Sequence, residues 1–360
     1  MKNIIITFGG ESCERDISVI TAITAYNAVF ATYRIFPIYL KDDKFYSVKN
    51  ISKIKEIANF SLSNFYEVEF KCGCMQKTGI FSKKIPISCA IICNHGGVGE
   101  NGALEGFFET VGIPCTAPDV FQCAMFMDKI FTKQFLNNWV RTLPWQELHK
   151  GESCNLNKIE YPAIVKPARL GSSIGIGIAK TESELKERLE FAFNFDSIVL
   201  VEKALENFIE FNCAAFKYKG KTIVSDVEML SFEREFYDFE SKYLSSQIAN
   251  REFPAKISDV LKDEIKETTK LIYEKSRCKG VIRIDYLYDG NLYVNEVNAV
   301  PGSLSFYLFK NKNIDMEKLL DMLIEESEKE FKKRKELINT FESSILENIN
   351  VDKLTFGVKK

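Results

Sequence analysis

Hydrophobic and polar positions along the 360-residue chain fall into two periods, and the changes of period mark out its elements. Short apolar runs at 3–8, 34–40 and 88–93 read as buried strands separated by helical stretches, the order of a parallel α/β unit through about residue 120. Asp16 or Ser18 could cap a helix through Thr21–Phe30. A helix is expected from about 102 to 111, with another short strand starting at Ile113-Pro114. A second unit follows: a helix over 121–138, strands at 163–166 and 175–180, a helix at 182–192 and a strand at 197–201. Strands resume over 208–230, and the polar, aromatic segment 232–250 has no clear period. An amphipathic helix over 256–277 leads into a hairpin, and beyond Asn313 the chain is helical and highly charged. That charge run reads as a solvated helix face.

The hairpin carries the strongest local signal. In Val281-Ile-Arg-Ile-Asp-Tyr-Leu-Tyr-Asp-Gly-Asn-Leu-Tyr-Val-Asn-Glu-Val-Asn298, two strands meet at Asp289-Gly290. A two-residue turn sets Tyr288 opposite Asn291 and Arg283 opposite Glu296, so Arg283, Asp285, Glu296 and Asn298 share one face. The other face receives Ile282, Ile284, Tyr286, Tyr293 and Val297, an ordinary core pattern. Two carboxylates, a carboxamide and a guanidinium together suit a hard cation beside an anion-stabilising charge. A solvated hairpin with cross-strand ion pairs is the plainer reading, and a three-residue loop would change the parity.

Composition narrows the class. Hydrophobic residues make up 46% and charged residues 27%, as in a globular protein with a substantial core. Lys plus Arg number 48 against 50 Asp plus Glu, so the basic footprint of a nucleic-acid binder is missing. No apolar run approaches the roughly 20 residues that span a bilayer, and the run at 3–8 is too short for a signal-peptide core. The ten cysteines are scattered, and two histidines leave few partners for a zinc site. Reduced thiols in a cytoplasmic protein are expected.

Several loops suit ligands. In Lys166-Pro-Ala-Arg-Leu-Gly-Ser-Ser-Ile-Gly-Ile-Gly177, glycines and two serines can aim N–H groups and hydroxyls at a phosphate chain, or simply form a glycine-rich hairpin. Lys166 precedes the glycines, so this is no Walker A loop. Val199-Leu-Val-Glu-Lys-Ala-Leu205 ends a strand in an acid and a base that could offer backbone groups to an adenine edge. His95-Gly-Gly-Val-Gly-Glu-Asn-Gly102 permits close backbone approach, with His95 near a substrate or structural in a turn. Glu14, in the strand-to-helix position after Gly9-Gly10, could pair with an amine or favour the helix dipole.

Taken in order, these stretches resemble the D-alanine–D-alanine ligase family of the ATP-grasp superfamily over about four-fifths of the chain. The matches are HGGVGENG at 95–102, MDKIFTK at 127–133, KPARLGSSIGI at 166–176, YDFESKY at 237–243 and RIDYLY…NEVNAVPG at 283–302. The resemblance implies a mixed α/β, three-domain ATP-grasp architecture: an N-terminal parallel α/β domain over 1–120, a central lid over 121–212 and a C-terminal domain over 213–335. A flap at 232–250 and the hairpin at 281–302 belong to the last, and 336–360 is a charged helical extension. It implies ligation of two D-alanines through an acyl phosphate, using ATP and two Mg²⁺ ions (or Mn²⁺), for peptidoglycan precursor synthesis. Neither nucleic acid nor membrane is an expected partner, and a homodimer is.

By position, Asp285, Glu296 and Asn298 resemble the magnesium ligands, and Arg283 with the Gly302 N–H the oxyanion donors. Lys129 and Lys166 resemble the phosphate lysines, and Ser173 lies in the phosphate-covering loop. Glu202, Lys203 and Leu205 resemble the adenine pocket, and Glu210 the ribose acid, with one extra residue in the turn 204–209. Glu14 resembles the holder of the first D-alanine's ammonium, with His95 close by and Ser172 and Tyr243 as hydrogen-bonding partners. Lys242 resembles the flap lysine that reaches the transferred phosphate. One departure concerns the second substrate: the family's Thr and Ser after Pro-Gly are replaced by Ser303-Leu304-Ser305-Phe306, so that its carboxylate falls to Ser303 or Ser305. This departure leaves D-serine, D-lactate or another amino acid as an alternative second substrate. A nucleotide-binding protein without catalysis is a third reading, and the four polar groups of the hairpin argue against it.

Overall fold

A computed structural model describes residues 1–79, 82–152, 158–231, 250–338, 340–344 and 347. The N-terminal sheet has seven strands: β1 (Asn3–Gly9), β2 (Arg34–Lys41), β3 (Lys44–Val48), β4 (Phe65–Lys71), β5 (Cys74–Lys77), β6 (Ile85–Pro86) and β7 (Cys89–Ile92). Their order is β6-β5-β4-β3-β2-β1-β7. β1 pairs parallel with β2 and β7, as the apolar runs imply, but β2 to β6 form an antiparallel meander that the sequence reading left out. Strand β2 is the expected run at 34–40, whereas β3 to β6 mix buried and exposed positions and lack the continuous apolar run of β1.

Helix α1 (Arg15–Val29) starts two to four residues earlier than a cap at Asp16 or Ser18 would set it, with Glu14 at its N-cap instead. Ser18 instead donates to Arg15 O at 2.5 Å and accepts from Gly9 N at 2.8 Å, tying the helix to the end of β1. The short α2 (Ile54–Ala58) connects β3 to β4, and α3 (Ala103–Thr110) follows the His95 loop. The strand expected at Ile113-Pro114 is a single bridge between Ala90 and Cys115.

The expected helix 121–138 is two helices, α4 (Val120–Met127) and α5 (Lys129–Leu136). Asp128 breaks them and caps α5 by accepting from Ile130 N and Phe131 N at 2.9 and 3.1 Å. Cys123, Phe126 and Leu136 share a core with the C-terminal sheet. A four-stranded sheet comprises β8 (Trp145–His149), β9 (Ala163–Pro167), β10 (Gly177–Ala179) and β11 (Ile198–Lys203), in the order β10-β9-β11-β8 and backed by α6 (Glu182–Ala192).

The third sheet holds β12 (Ile209–Tyr218), β13 (Lys221–Val224), β14 (Glu228–Ser231), β15 (Asn250–Glu252), β16 (Val281–Tyr288) and β17 (Leu292–Asn298). β12 spans residue 212, so the expected boundary there falls inside a strand. The amphipathic helix α7 (Asp259–Lys275) packs on β12 and β13, with Ile265 and Ile272 fully buried. Helix α8 (Met316–Lys335) is not solvated on every side: Leu319, Leu320, Leu323 and Ile324 are buried in the N-terminal core. The chain's last described helix therefore ties back to its first domain.

Candidate active site

The hairpin keeps its chemical face by a route the sequence did not show. The turn is three residues long, since Tyr288 pairs with Leu292 and Tyr286 with Val294. A bulge at Asn295 then inserts a second extra residue, so Asp285 faces Glu296 and Arg283 faces Asn298. Two one-residue shifts cancel in a period of two, and the four side chains stay together. The predicted opposition of Arg283 and Glu296 is thus replaced by Arg283–Asn298. Near the turn the shift counts: Leu292 and Val294 take the core side in place of Tyr293.

On that face Arg283 donates to Asp285 through Nε at 2.6 Å and Nη2 at 2.8 Å, and Asn298 Nδ2 donates to Asp285 at 3.1 Å. The half-buried Arg283 guanidinium is held above its ordinary pKa because the Asp285 carboxylate outweighs the cost of desolvation. Burial raises the Glu296 carboxyl and Asp285 adds to the rise, while Lys129 and Lys166 oppose it. Two crowded carboxylates and a carboxamide oxygen are hard donors suited to a divalent cation, which would relieve their repulsion. Among the described residues no cluster of three His, Cys, Asp or Glu side chains stands ready for a metal, consistent with a set containing two acids and an amide.

A cleft of about 220 Å³ gathers predicted residues from loops and helices beside the first two sheets and from the hairpin of the third. Its walls include Glu14 and His95 from the N-terminal domain, Lys129 and Ser172 from the middle, and Arg283, Glu296, Asn298 and Gly302 from the hairpin and its exit. Ser172 donates to Glu14 at 2.5 Å, joining loops 158 residues apart. Gly96 and Gly171 close over that carboxylate. A Cβ on either would lie 2.7 Å from Glu14 Oε2, and Gly96 also has a φ of +64°. Lys129 donates to Leu170 O at 2.6 Å, bracing the serine loop, where Ser172 and Ser173 have φ of 53° and 57°.

The exit of β17 is held by the N-terminal domain. Glu100 accepts from Val300 N at 3.1 Å and from Gly96 N at 3.0 Å, and burial pushes its pKa up to about 7 against those donors. His95 Nδ1 lies 2.7 Å from Val300 O, which can only accept, so that nitrogen carries the proton. Nε2 then accepts from the Thr21 hydroxyl at 2.9 Å, and Thr21 accepts from Ser303 N at 3.1 Å. Burial lowers the His95 pKa, which fits the neutral ring. The N–H groups of Val300, Ser303 and Leu304 are all committed, whereas among the described residues nothing accepts from Gly302 N–H. Glu100 and Thr21 were missed in the sequence. Glu100 lies inside the HGGVGENG match, but Thr21 carried no signal.

Ser303, Leu304 and Ser305 form a left-handed run with φ of 49°, 50° and 50°. Ser305 is fully buried, so of the two expected carboxylate binders only Ser303 stands partly exposed. The run orients the Ser305 hydroxyl into protein, where it finds no partner among the described residues.

Lys166 and Glu202 meet at 2.7 Å, and Lys166 also donates to the bulge residue Asn295 at 3.1 Å. Lys133, which the sequence reading passed over, contacts the other Glu202 oxygen at 2.5 Å. Burial opposes the charge on Glu202, but Lys133 and Lys166 prevail and hold its pKa at about 2. Its carboxylate therefore points inward, and its backbone lies in β11 paired with Trp145 on one side and Ile164 on the other. A smaller cleft of about 70 Å³ lies beside Trp145, Glu202 and Lys203, whose ammonium pairs with Glu160 at 3.0 Å. Leu205 sits in the turn after β11, and Glu210 on β12 pairs across to Leu230 and Leu287. Lys242 and Tyr243, with the flap, lie outside the described residues.

Family models for the D-ala D-ala ligase N-terminus and C-terminus match residues 3–118 and 139–325. A D-alanine–D-alanine ligase of Thermosipho africanus is 34% identical over 367 residues, covering 96% of this chain and 99% of that protein. The chain belongs to the D-alanine–D-alanine ligase family. Among solved structures, the Bacillus anthracis D-alanine–D-alanine ligase complexed with ATP superposes with a TM-score of 0.69 at 26% identity, covering 93% of this chain and 100% of that one. The VanG D-Ala:D-Ser ligase of Enterococcus faecalis reaches 0.77 at 27% identity, covering 90% and 98%. Both family models end before the charged C-terminal extension.

Proposed function

We propose that this chain joins two D-alanines into D-alanyl-D-alanine at the expense of ATP and Mg²⁺, supplying a peptidoglycan precursor. The observation that carries the proposal is the meeting of Glu14–Ser172, Arg283 and Gly302 N–H in one cleft with the acidic face of the hairpin. Family membership supports the ligase chemistry, and the likeness to a ligase complexed with ATP supports the nucleotide.

In this reading Glu14 binds the ammonium of the first D-alanine and Ser172 orients Glu14. The carboxylate of that D-alanine takes the γ-phosphoryl group of ATP, releasing ADP. The deprotonated amine of the second D-alanine attacks the acyl carbon, and phosphate leaves. Arg283 and the uncommitted Gly302 N–H face the oxyanion that forms between those events, where fixed donors help most. Lys129 and Lys166 bind phosphate oxygens. Asp285, Glu296 and Asn298 are the residues that would hold Mg²⁺, which supplies neutralisation of the triphosphate when bound. The flap residues Lys242 and Tyr243 complete the proposal from sequence alone.

The replaced segment 303–309 and the VanG likeness make D-serine the competing nucleophile to test. Incubating the protein with ATP, Mg²⁺ and an equimolar mixture of D-alanine, D-serine and D-lactate, then weighing the products, decides it. D-alanyl-D-alanine as the main product is expected. D-alanyl-D-serine would reassign the second substrate, and no condensation at all would overturn the reading.

A further inference from the structure

The buried cluster of Lys133, Glu202 and Lys166 is larger than phosphate binding by Lys166 requires. Lys133 comes from α5, one turn beyond Lys129, and is 1% exposed; Glu202 is the next-to-last residue of β11 and is 2% exposed; Lys166 lies on β9 at 7%. Glu202 gives one oxygen to each lysine, at 2.5 and 2.7 Å. Two ammonium groups against one carboxylate leave a surplus of one positive charge in a nearly dry pocket. The most exposed of the three is Lys166, and its second contact is Asn295, which lines the main cleft beside Glu296.

Without Lys133 the arithmetic changes. Glu202 and Lys166 would form a closed, neutral pair, and the carboxylate, freed of its other partner, would take a larger share of the Lys166 ammonium. An anionic ligand would then meet a lysine whose charge is already cancelled. Lys133 cannot touch such a ligand itself, because it sits behind Glu202.

We propose that Lys133 is a positioning residue for nucleotide binding, engaging one oxygen of Glu202 so that Lys166 keeps a net positive charge for the polyphosphate. The inference rests on the ATP reading above but not on the identity of the second substrate.

The test is a calorimetric titration of the full-length chain with ATP in magnesium buffer, with D-alanine omitted. Lys133→Met is expected to weaken ATP binding by about tenfold while leaving the KM for D-alanine near that of the wild type. Adding Glu202→Gln to that variant restores the surplus of one charge, and ATP affinity is expected to return to within about threefold of the wild type. A loss of packing at Lys133 would not be repaired by a change at Glu202. Unaltered ATP affinity in Lys133→Met overturns the inference, as does a double variant no better than the single one. If Lys133→Met does not fold, the charge-balanced double variant decides alone: near-wild-type affinity supports the inference and a tenfold loss overturns it. Wild-type protein that binds ATP but forms no dipeptide would refute the ligase reading and leave this result standing.

Discussion

Arg283 closes on Asp285, two residues along β16, through two parallel contacts of 2.6 and 2.8 Å. The same carboxylate would serve a metal, so the two residues separate when substituted. Arg283→Met should lower turnover on the order of 10²- to 10³-fold with no increase in the Mg²⁺ needed for half-saturation. Asp285→Asn should lower turnover and raise that Mg²⁺ requirement. Steady-state kinetics across a magnesium series reads both, and an equal magnesium shift in the two variants would contradict the assignment.

Val300 has its N–H held by Glu100 and its C=O by His95, two residues before the Gly302 N–H. Releasing that peptide lets the oxyanion donor drift. Glu100→Ala should lower kcat by about 10- to 100-fold while the KM for ATP stays within about twofold. A variant whose only change is in ATP binding would show that the clamp does something else.

Glu14 and Ser172 are joined at 2.5 Å under two close glycines. Glu14→Gln keeps the shape and removes the charge that meets an ammonium. The KM for the first D-alanine should rise by about tenfold or more, with ATP binding unchanged in calorimetry. Equal losses for both substrates would mean that the loop had collapsed.

Two buried glutamates should titrate stability in opposite directions. Glu202 has its pKa lowered to about 2, so its contribution is fully present above the unfolded value near 4.5 and is lost as pH falls toward 2. The drop of about 2.5 units from 4.5 to 2 corresponds to about 3 kcal/mol for Glu202 itself. Burial lowers the pKa of Lys133, which offsets part of it. Glu105 has no partner for either oxygen among the described residues, and burial raises it to about 8. The folded chain therefore binds a proton there that the unfolded chain releases, and stability falls as pH rises from about 4.5 to 8. Urea denaturation should show Glu105→Gln gaining on the wild type at pH 8.5, and Glu202→Gln losing about 3–5 kcal/mol at pH 7 by stranding two lysines.

The alternation along β16 and β17 was enough to group Arg283, Asp285, Glu296 and Asn298, because a face is a matter of parity and parity survives two cancelling shifts. Long apolar runs such as Asn3–Gly9 and the amphipathic period of Asp259–Lys275 were equally plain, since each expresses burial within its own span. The meander β3 to β6 was not legible, because its strands mix buried, half-buried and exposed positions without a continuous apolar run. Nor was the second face of α8, whose partners include strand β7 and helix α1, both more than 200 residues earlier in the chain.

By itself the sequence determined which chemical groups the molecule carries, which of them share a strand, and the five ordered stretches that mark the family. Only the tertiary structure decided that Lys133 stands behind Glu202, that Thr21 and His95 reach Ser303 and Val300, and that Ser305 turns inward. The reason is range. Periodicity records what one element does with its own two faces, whereas a buried ion pair or a clamped peptide depends on where separate elements come to rest. In the hairpin the sequence was right about the face while the turn length it used was wrong, and only the bulge at Asn295 reconciles the two.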